Sequence, residues 1–344
     1  MPSAEASRAR LTPRRVALGL LGFLIAAVLL LWALRGVHLD EVLRRIRGAH
    51  LLPILLSVVI ATLTFPIRLI RWRLLLRRED GTPLPVVPVW HAVAIGFMAN
   101  NVLPFRAGEL VRLFAITRLA GVRFSSALSS VAVERIFDGL AVVALLTVAL
   151  LVSDLPAGVA VGGVPMAQVA RAGGLMGLAA IAAAGLVVGF PLAAEGMIRR
   201  LLPPGRFTDR LVALIDGLRQ GLAALRSPAL LTGVVFWSLV LWLVNGWAFY
   251  VAFAAFEIPV DFIGALLLQG ILIFGISVQL TPGFVGQFEA AIVAALALYG
   301  VPNDVASSYA ITFHGTTFLP IILLGAWSLA RTPMALRDLG RTES

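Results

Sequence analysis

The chain has 344 residues, 60% of them hydrophobic and 13% charged, with a net charge of +10 and a mean hydropathy of +0.96. A soluble domain of this size does not carry so much apolar sequence, so the composition points to an all-α polytopic membrane protein. Cysteine is absent, which excludes disulfides and thiolate sites, and all 28 basic residues are arginines. In a soluble protein that charge would suggest nucleic acid. Here the arginines cluster at helix ends, where membrane topology and anionic lipid account for them.

Taken in order, Arg8, Arg10, Arg14 and Arg15 precede an apolar run from Val16 to Leu34, which reads as an uncleaved signal-anchor and first span. Residues Gly36–His50 are amphipathic and interfacial. A second span covers Leu51–Leu75, with breaks expected at Pro53 and Pro66. Arg68, Arg71, Arg73, Arg77 and Arg78 crowd its end as a cytoplasmic marker. Interfacial snorkelling explains most of these, and Arg68 sits deepest. Pro83, Pro85 and Pro88 form a stiff turn before the stretch from Val89 to Ala120.

That stretch contains Asn100, Asn101, Pro104, Arg106, Gly108, Glu109 and Arg112 within an otherwise apolar run. Irregular backbone survives at membrane depth only where protein or a wet cavity surrounds it. The pattern therefore predicts a re-entrant hairpin whose turn lies between Asn101 and Gly108, with its charges marking a functional site. The bland alternative is an ordinary loop between two helices.

A third span, Ser126–Val152, carries Glu134, Arg135 and Asp138 at helical neighbour spacing, to be read either as a structural ion pair or as substrate contacts. A base-free loop with Asp154 and a fourth span, Met166–Phe190, follow. Residues 191–229 hold many arginines and read as a cytoplasmic linker. The fifth span, Leu230–Phe256, carries Trp237, Trp242, Asn245, Trp247 and Tyr250, several of these aromatics being assigned to packing or the interface. A second hairpin is expected over Phe262–Tyr299, and a sixth span over Val305–Ala330.

The second hairpin repeats the first signal. Gln279, Pro282, Gly283, Gly286, Gln287 and Glu289 form its break, and Pro-x-x-x-Gly occurs in both (Pro104 to Gly108, Pro282 to Gly286). With a one-residue slip, Gly121-Val122 answers to Gly300-Val301, Ala127 to Ala306 and Arg135 to His314. This predicts an internal repeat, 51–152 and 230–330, about the linker 191–229. Counting crossings makes the halves oppositely oriented, the inverted plan of many transporters.

The motifs also resemble a known family. Asn-x-x-Leu-Pro-x-Arg-x-Gly-Glu at Asn100–Glu109, Glu-Arg-x-x-Asp at Glu134–Asp138 and Pro-Gly-x-x-Gly-x-x-Glu at Pro282–Glu289 are similar to the lysylphosphatidylglycerol synthase transmembrane (flippase) family. Phe105 and Phe284 stand where small residues are usual. The resemblance covers nearly the whole chain and implies movement of a phosphate-bearing lipid between leaflets of a bacterial inner membrane. With the chain ending at Ser344, the soluble synthase domain is not expected, so neither catalysis nor a cofactor or metal is assigned.

On this reading Arg106, Arg112 and Arg135 neutralise phosphate, and the helix N-termini near Gly108 and Gly286 add donors. Glu109 and Glu289 hold the arginines or take a cationic headgroup. Asn100, Asn101, Gln279, Gln287, Glu134, Asp138 and His314 complete the candidate site, with Pro104, Gly108, Pro282, Gly283 and Gly286 as hinges. His314 alone in its span also reads as a hydrogen-bonded packing residue. The competing classes are a membrane-embedded enzyme using Glu109, Glu134 or Asp138 as acid or base, and an accessory partner of a cell-envelope synthase. A homo-oligomer is possible on any of these readings, and sequence does not identify the lipid.

Arginine placement puts both termini in the cytoplasm and the loops near Asp154 and Glu257 outside. Ser153→Cys is expected to react with an impermeant thiol reagent on intact cells, and Ser344→Cys is not. Labelling of Ser344→Cys from outside reverses the topology.

Overall fold

A computed structural model describes residues 39–78, 81–103, 106–153 and 228–333, with short pieces between 160 and 209. The expected first span, most of the fourth span, most of the linker, and Pro104, Phe105 and Asp154 lie outside the described residues.

The protein is an all-α membrane protein. Its helices are α1 (Leu39–Gly48), α2 (Leu51–Thr62), α3 (Thr64–Leu75), α4 (Val86–Val102), α5 (Ala107–Ala120), α6 (Phe124–Val152), α7 (Pro191–Leu201), α8 (Pro228–Phe253), α9 (Phe262–Gly275), α10 (Gln287–Ala297) and α11 (Asn303–Ala330). Among the described residues the sole sheet pairs β1 (Ala160–Val161) with β2 (Val164–Pro165). Four stretches are long and apolar enough to cross a membrane: Leu51–Leu75, Phe124–Val152, Pro228–Phe256 and Asn303–Ala330. They coincide with the second, third, fifth and sixth expected spans.

Pro53 and Pro66 start helices and do not break them. Each falls in a first turn, of α2 and of α3, where a missing N–H costs nothing. The two helices meet at Leu63, whose backbone is itself right-handed helical, so the pair serves as one span. Pro88 likewise sits in the first turn of α4, which begins three residues before the expected hairpin start.

The other apolar helices are shorter. At about 1.5 Å per residue, α10 with its 11 residues reaches roughly 16 Å, well short of a hydrocarbon core of about 30 Å. Both hairpins run antiparallel. Gly96 on α4 lies against Arg112 and Gly108 on α5, and Gly275 on α9 lies against Ala291 on α10. The first hairpin packs with α3 and α6 around Trp72, Leu113 and Ile116, and the second with α8 and α11 around Phe249, Leu268 and Phe313.

The two regions exchange helices. α11, which follows the second hairpin, packs on α4 of the first, with Gly325 placed where a side chain would meet Met98. α6, which follows the first, packs on α9 of the second, where a β-carbon on Gly270 would lie 2.6 Å from Leu146. Both hairpins end in a left-handed glycine, Gly121 (φ 67°) and Gly300 (φ 70°), and both then enter a long helix. Ala127 and Ala306, aligned by the sequence match, are both fully buried.

α1 is an amphipathic helix with Asp40 and Glu41 in its first turn and Arg45 and Arg47 in its last, matching the helix dipole. Arg45 ties it to α11 through Asp304 at 2.6 Å.

A β-carbon on Gly108 would collide with the Gly96 carbonyl and the Asn100 amide, both backbone. Gly108→Ala is therefore expected to cost about 1–3 kcal/mol through forced separation of α4 and α5. Gly139→Ala on α6 has open space around it and should be neutral or slightly stabilising. Melting in detergent compares them, and equal melting of both variants would refute the close approach.

Candidate functional site

The charges begin with helix spacing. Glu134, Arg135 and Asp138 share one neighbourhood of α6, and α3 and α5 bring arginines to it. Glu134 is wholly buried and accepts a bidentate pair of hydrogen bonds from Arg112, Nη1 to Oε1 and Nη2 to Oε2, both 2.9 Å. Arg135 donates to the same Oε1 at 2.7 Å, and Arg71 Nη2 lies 3.2 Å from it. Arg71 also donates to Asp138 at 2.5 Å and to Ser238 at 3.1 Å. Arg135 stands 3.1 Å from the other Asp138 oxygen.

Aromatic residues close this interior. Trp242 Nε1 donates to Asp138 at 3.1 Å, and the Arg112 guanidinium lies 3.6 Å from the centre of the Trp72 ring. Trp72 Nε1 in turn donates to Ser130 at 3.0 Å. A stacked, bidentate guanidinium is a geometry lysine does not reproduce.

On the open side, Glu109 lies 3.9 Å from Arg106 and 3.8 Å from Arg135, and all three are about one-third exposed. Arg68 is half-buried, with its guanidinium 4.5 Å from the centre of the Phe97 ring and within electrostatic reach of Asp138 and Arg135.

The two hairpin tips meet beside this group. Gln279 Nε2 donates to the carbonyls of Asn100 (2.9 Å) and Leu103 (3.1 Å), and its Oε1 accepts from the Arg106 backbone N–H (2.8 Å). In return, Arg106 Nη2 donates to the Ile276 carbonyl at 3.1 Å. Each interruption thus has backbone groups filled by the other, as groups away from water require. Arg106 adopts a left-handed conformation (φ 52°), as does Phe284 (φ 61°), where glycine would be free of strain.

Within the second tip, Gln287 accepts from Leu280 N (2.9 Å) and donates to the Val278 carbonyl (2.9 Å). Glu289 accepts from Gly286 N–H at 2.7 Å and meets His314 Nδ1 at 2.5 Å. His314 Nε2 contacts the Gly283 carbonyl at 3.0 Å, and its ring lies between Phe288 and Phe318.

Several expectations change. Glu289 does not hold an arginine, because its carboxylate is taken by Gly286 and His314. Gly286 N–H is consequently not available to a phosphate. Arg112 is nearly wholly buried in its pair with Glu134, away from the open side. Asn100 and Asn101 lie at the tip, and Gln279 and Gln287 serve as braces.

Arg71 is not a snorkelling interfacial residue: it is wholly buried, and it was missed. Its position near the end of a span matched the interfacial pattern. The one available signal was its i+3 spacing from Arg68, which aligns both on one face. Trp242, read as packing or interfacial, is buried and donates to Asp138, and Ser238, not singled out from sequence, is buried and accepts from Arg71. Asn245 donates to Gln269 at 3.0 Å.

Residues 19–325 match the family described as the lysylphosphatidylglycerol synthase TM region. Glycosyltransferase AglD of Haloferax volcanii is 28% identical over 96% of the chain and 56% of its own length, so the chain spans about half of that relative. A UPF0104 membrane protein of Methanothermobacter thermautotrophicus is 25% identical over 89% of the chain and 90% of its own length.

Removing Asp138 leaves Arg71 buried with a diminished counter-charge, which costs about 3–5 kcal/mol for a buried pair. Asp138→Ala is expected to lose most folded yield, and Arg71→Met with Asp138→Leu to recover much of it. Size-exclusion profile and melting in detergent report both. A normal single variant would mean the pair is dispensable.

Proposed function

The chain belongs to the lysylphosphatidylglycerol synthase transmembrane family, and from that premise we propose that it carries a phosphate-bearing lipid between the two leaflets of the cell membrane. The observation that carries the reading is the open-side group of Arg106, Glu109 and Arg135, set where two helix interruptions meet. Ionisable groups within membrane spans are costly and mark substrate paths, and discontinuous helices form such sites in transporters.

A headgroup enters beside the tips while its tails remain in lipid. Arg106 and Arg135 offer it their guanidinium forks, and Glu134 and Asp138 hold Arg135 from behind, Glu134 being fixed in turn by Arg71 and Arg112. The halves 51–152 and 230–330 act as oppositely oriented repeats. Passage requires the tips to part, so the bonds from Gln279 to Asn100 and Leu103, and from Arg106 to Ile276, break and re-form. Gly108, Gly283 and Gly286 take up the change as hinges. Both termini lie in the cytoplasm, and no residue acts as a catalyst.

One observation favours a second reading: a relative covering nearly the whole chain is named a glycosyltransferase. On that reading the membrane region presents a lipid-linked substrate to an enzyme and does not move it.

Purified protein reconstituted in liposomes with a headgroup-labelled phospholipid separates the two. Wild type is expected to move lipid faster than protein-free vesicles. Arg106→Lys should lose at least about tenfold, the worth of one charge-assisted hydrogen bond. Arg47→Lys, exposed on α1, should match wild type. No movement above protein-free vesicles would favour the presenting role.

A further inference from the structure

The ionised groups around Glu134 form two layers that balance differently. In the interior, Arg71 and Arg112 face Glu134 and Asp138, two positive charges against two negative, with no side chain more than 7% exposed. Toward the open side, Arg106 and Arg135 share Glu109, Arg135 also reaches Glu134 and Asp138 of the interior, and Arg68 adds a third guanidinium within reach of Asp138, so this side adds three positive charges and one negative. Counting the whole network, five arginines and three carboxylates give a surplus of two. Glu289 and His314 at the second tip pair with each other, and among the described residues no other carboxylate reaches these arginines.

Hydrogen bonding points the same way. The Nε atoms of Arg106 and Arg135, the two one-third-exposed guanidinium groups, are buried without a hydrogen-bond partner among the described residues. Buried donors left unmade are costly, and a ligand rich in acceptor oxygens relieves that cost.

We infer that the site selects a lipid whose head is a terminal phosphate, a phosphomonoester with two negative charges, over the phosphodiester of an ordinary glycerophospholipid. The inference rests on the lipid-carrier reading for the position of the headgroup. A dianion cancels the surplus, whereas a phosphodiester, with one charge, leaves one positive charge uncompensated. A phosphomonoester also presents three free oxygens to the arginine forks, against two for a diester. Polyprenyl monophosphate and phosphatidic acid share this head and differ in their tails.

The test is native mass spectrometry of the detergent-purified full chain with equimolar polyprenyl monophosphate, phosphatidic acid and phosphatidylglycerol. Both phosphomonoesters, or one of them, should outcompete phosphatidylglycerol by about tenfold near neutral pH, where the phosphomonoester carries one extra charge. The preference should shrink below about pH 6, where the phosphomonoester dianion takes up a proton and becomes a monoanion while the phosphodiester does not change. Arg135→Gln removes one surplus charge and should lower the preference severalfold. Glu109→Gln, at a position about one-third exposed with loose contacts, raises the surplus to three and should increase it. General damage to the fold would weaken both lipid classes in both variants and leave their ratio unchanged.

Binding of one phosphomonoester alone supports the inference and assigns the tail. Equal binding of phosphatidylglycerol overturns it and leaves the carrier reading standing, as does a lowered preference in Glu109→Gln. Retention of no lipid of either class removes both.

Discussion

One carboxylate, that of Glu134, meets three guanidinium groups from three helices, and most of the first half of the protein is arranged to permit it. Arg71 comes from α3, Arg112 from α5 and Arg135 from α6. A buried charge is tolerable only when paired and hydrogen-bonded on several sides. Such a node fixes more than energy. It sets the rotation of α3 and α6 about their axes, and it fixes the position of α5 against them. The close approach of α4 and α5 through Gly96 and Gly108 follows from the same demand, because Arg112 reaches Glu134 only if its helix lies tight against its partner.

Around this node, the long helix after each hairpin packs against the entering helix of the other. α11 supplies a wall to α4 and α6 supplies a wall to α9, at positions where Gly325 and Gly270 remove the side chain in the way. The two hydrophobic clusters are therefore linked by helices, and the polar contact between the tips lies on the seam between them.

Much of this was legible from residue types. Proline and glycine inside apolar runs located both interruptions, and charges spaced three and four apart located Glu134, Arg135 and Asp138 on one face. Arg106, Glu109 and Arg112 then came together with them because a hairpin leaves little choice of neighbour. What sequence did not carry was pairing across elements. Arg71 has the local signature of an interfacial arginine, and its burial is decided by α6 and α8, distant in the chain. Glu289 looked like a partner for arginine because Glu109 holds that role in the matching motif. Its actual partner, His314, was identified as hydrogen-bonded but had no assigned acceptor. Pro53 and Pro66 show the reverse case: a residue known to interrupt helices was placed where helices begin, and sequence spacing alone did not distinguish the two.

Gln279 has a consequence of another kind. Its one amide fills two carbonyls and one N–H of the opposite tip, and Arg106 fills a carbonyl in return. These four backbone groups are satisfied only while the tips touch. Drawn apart in hydrocarbon, each would cost several kcal/mol, a total no membrane protein of ordinary stability sustains. The tips thus behave as a latch that releases only into water: any conformation in which they separate is a wetted one, and hydration of the seam is a condition of its opening.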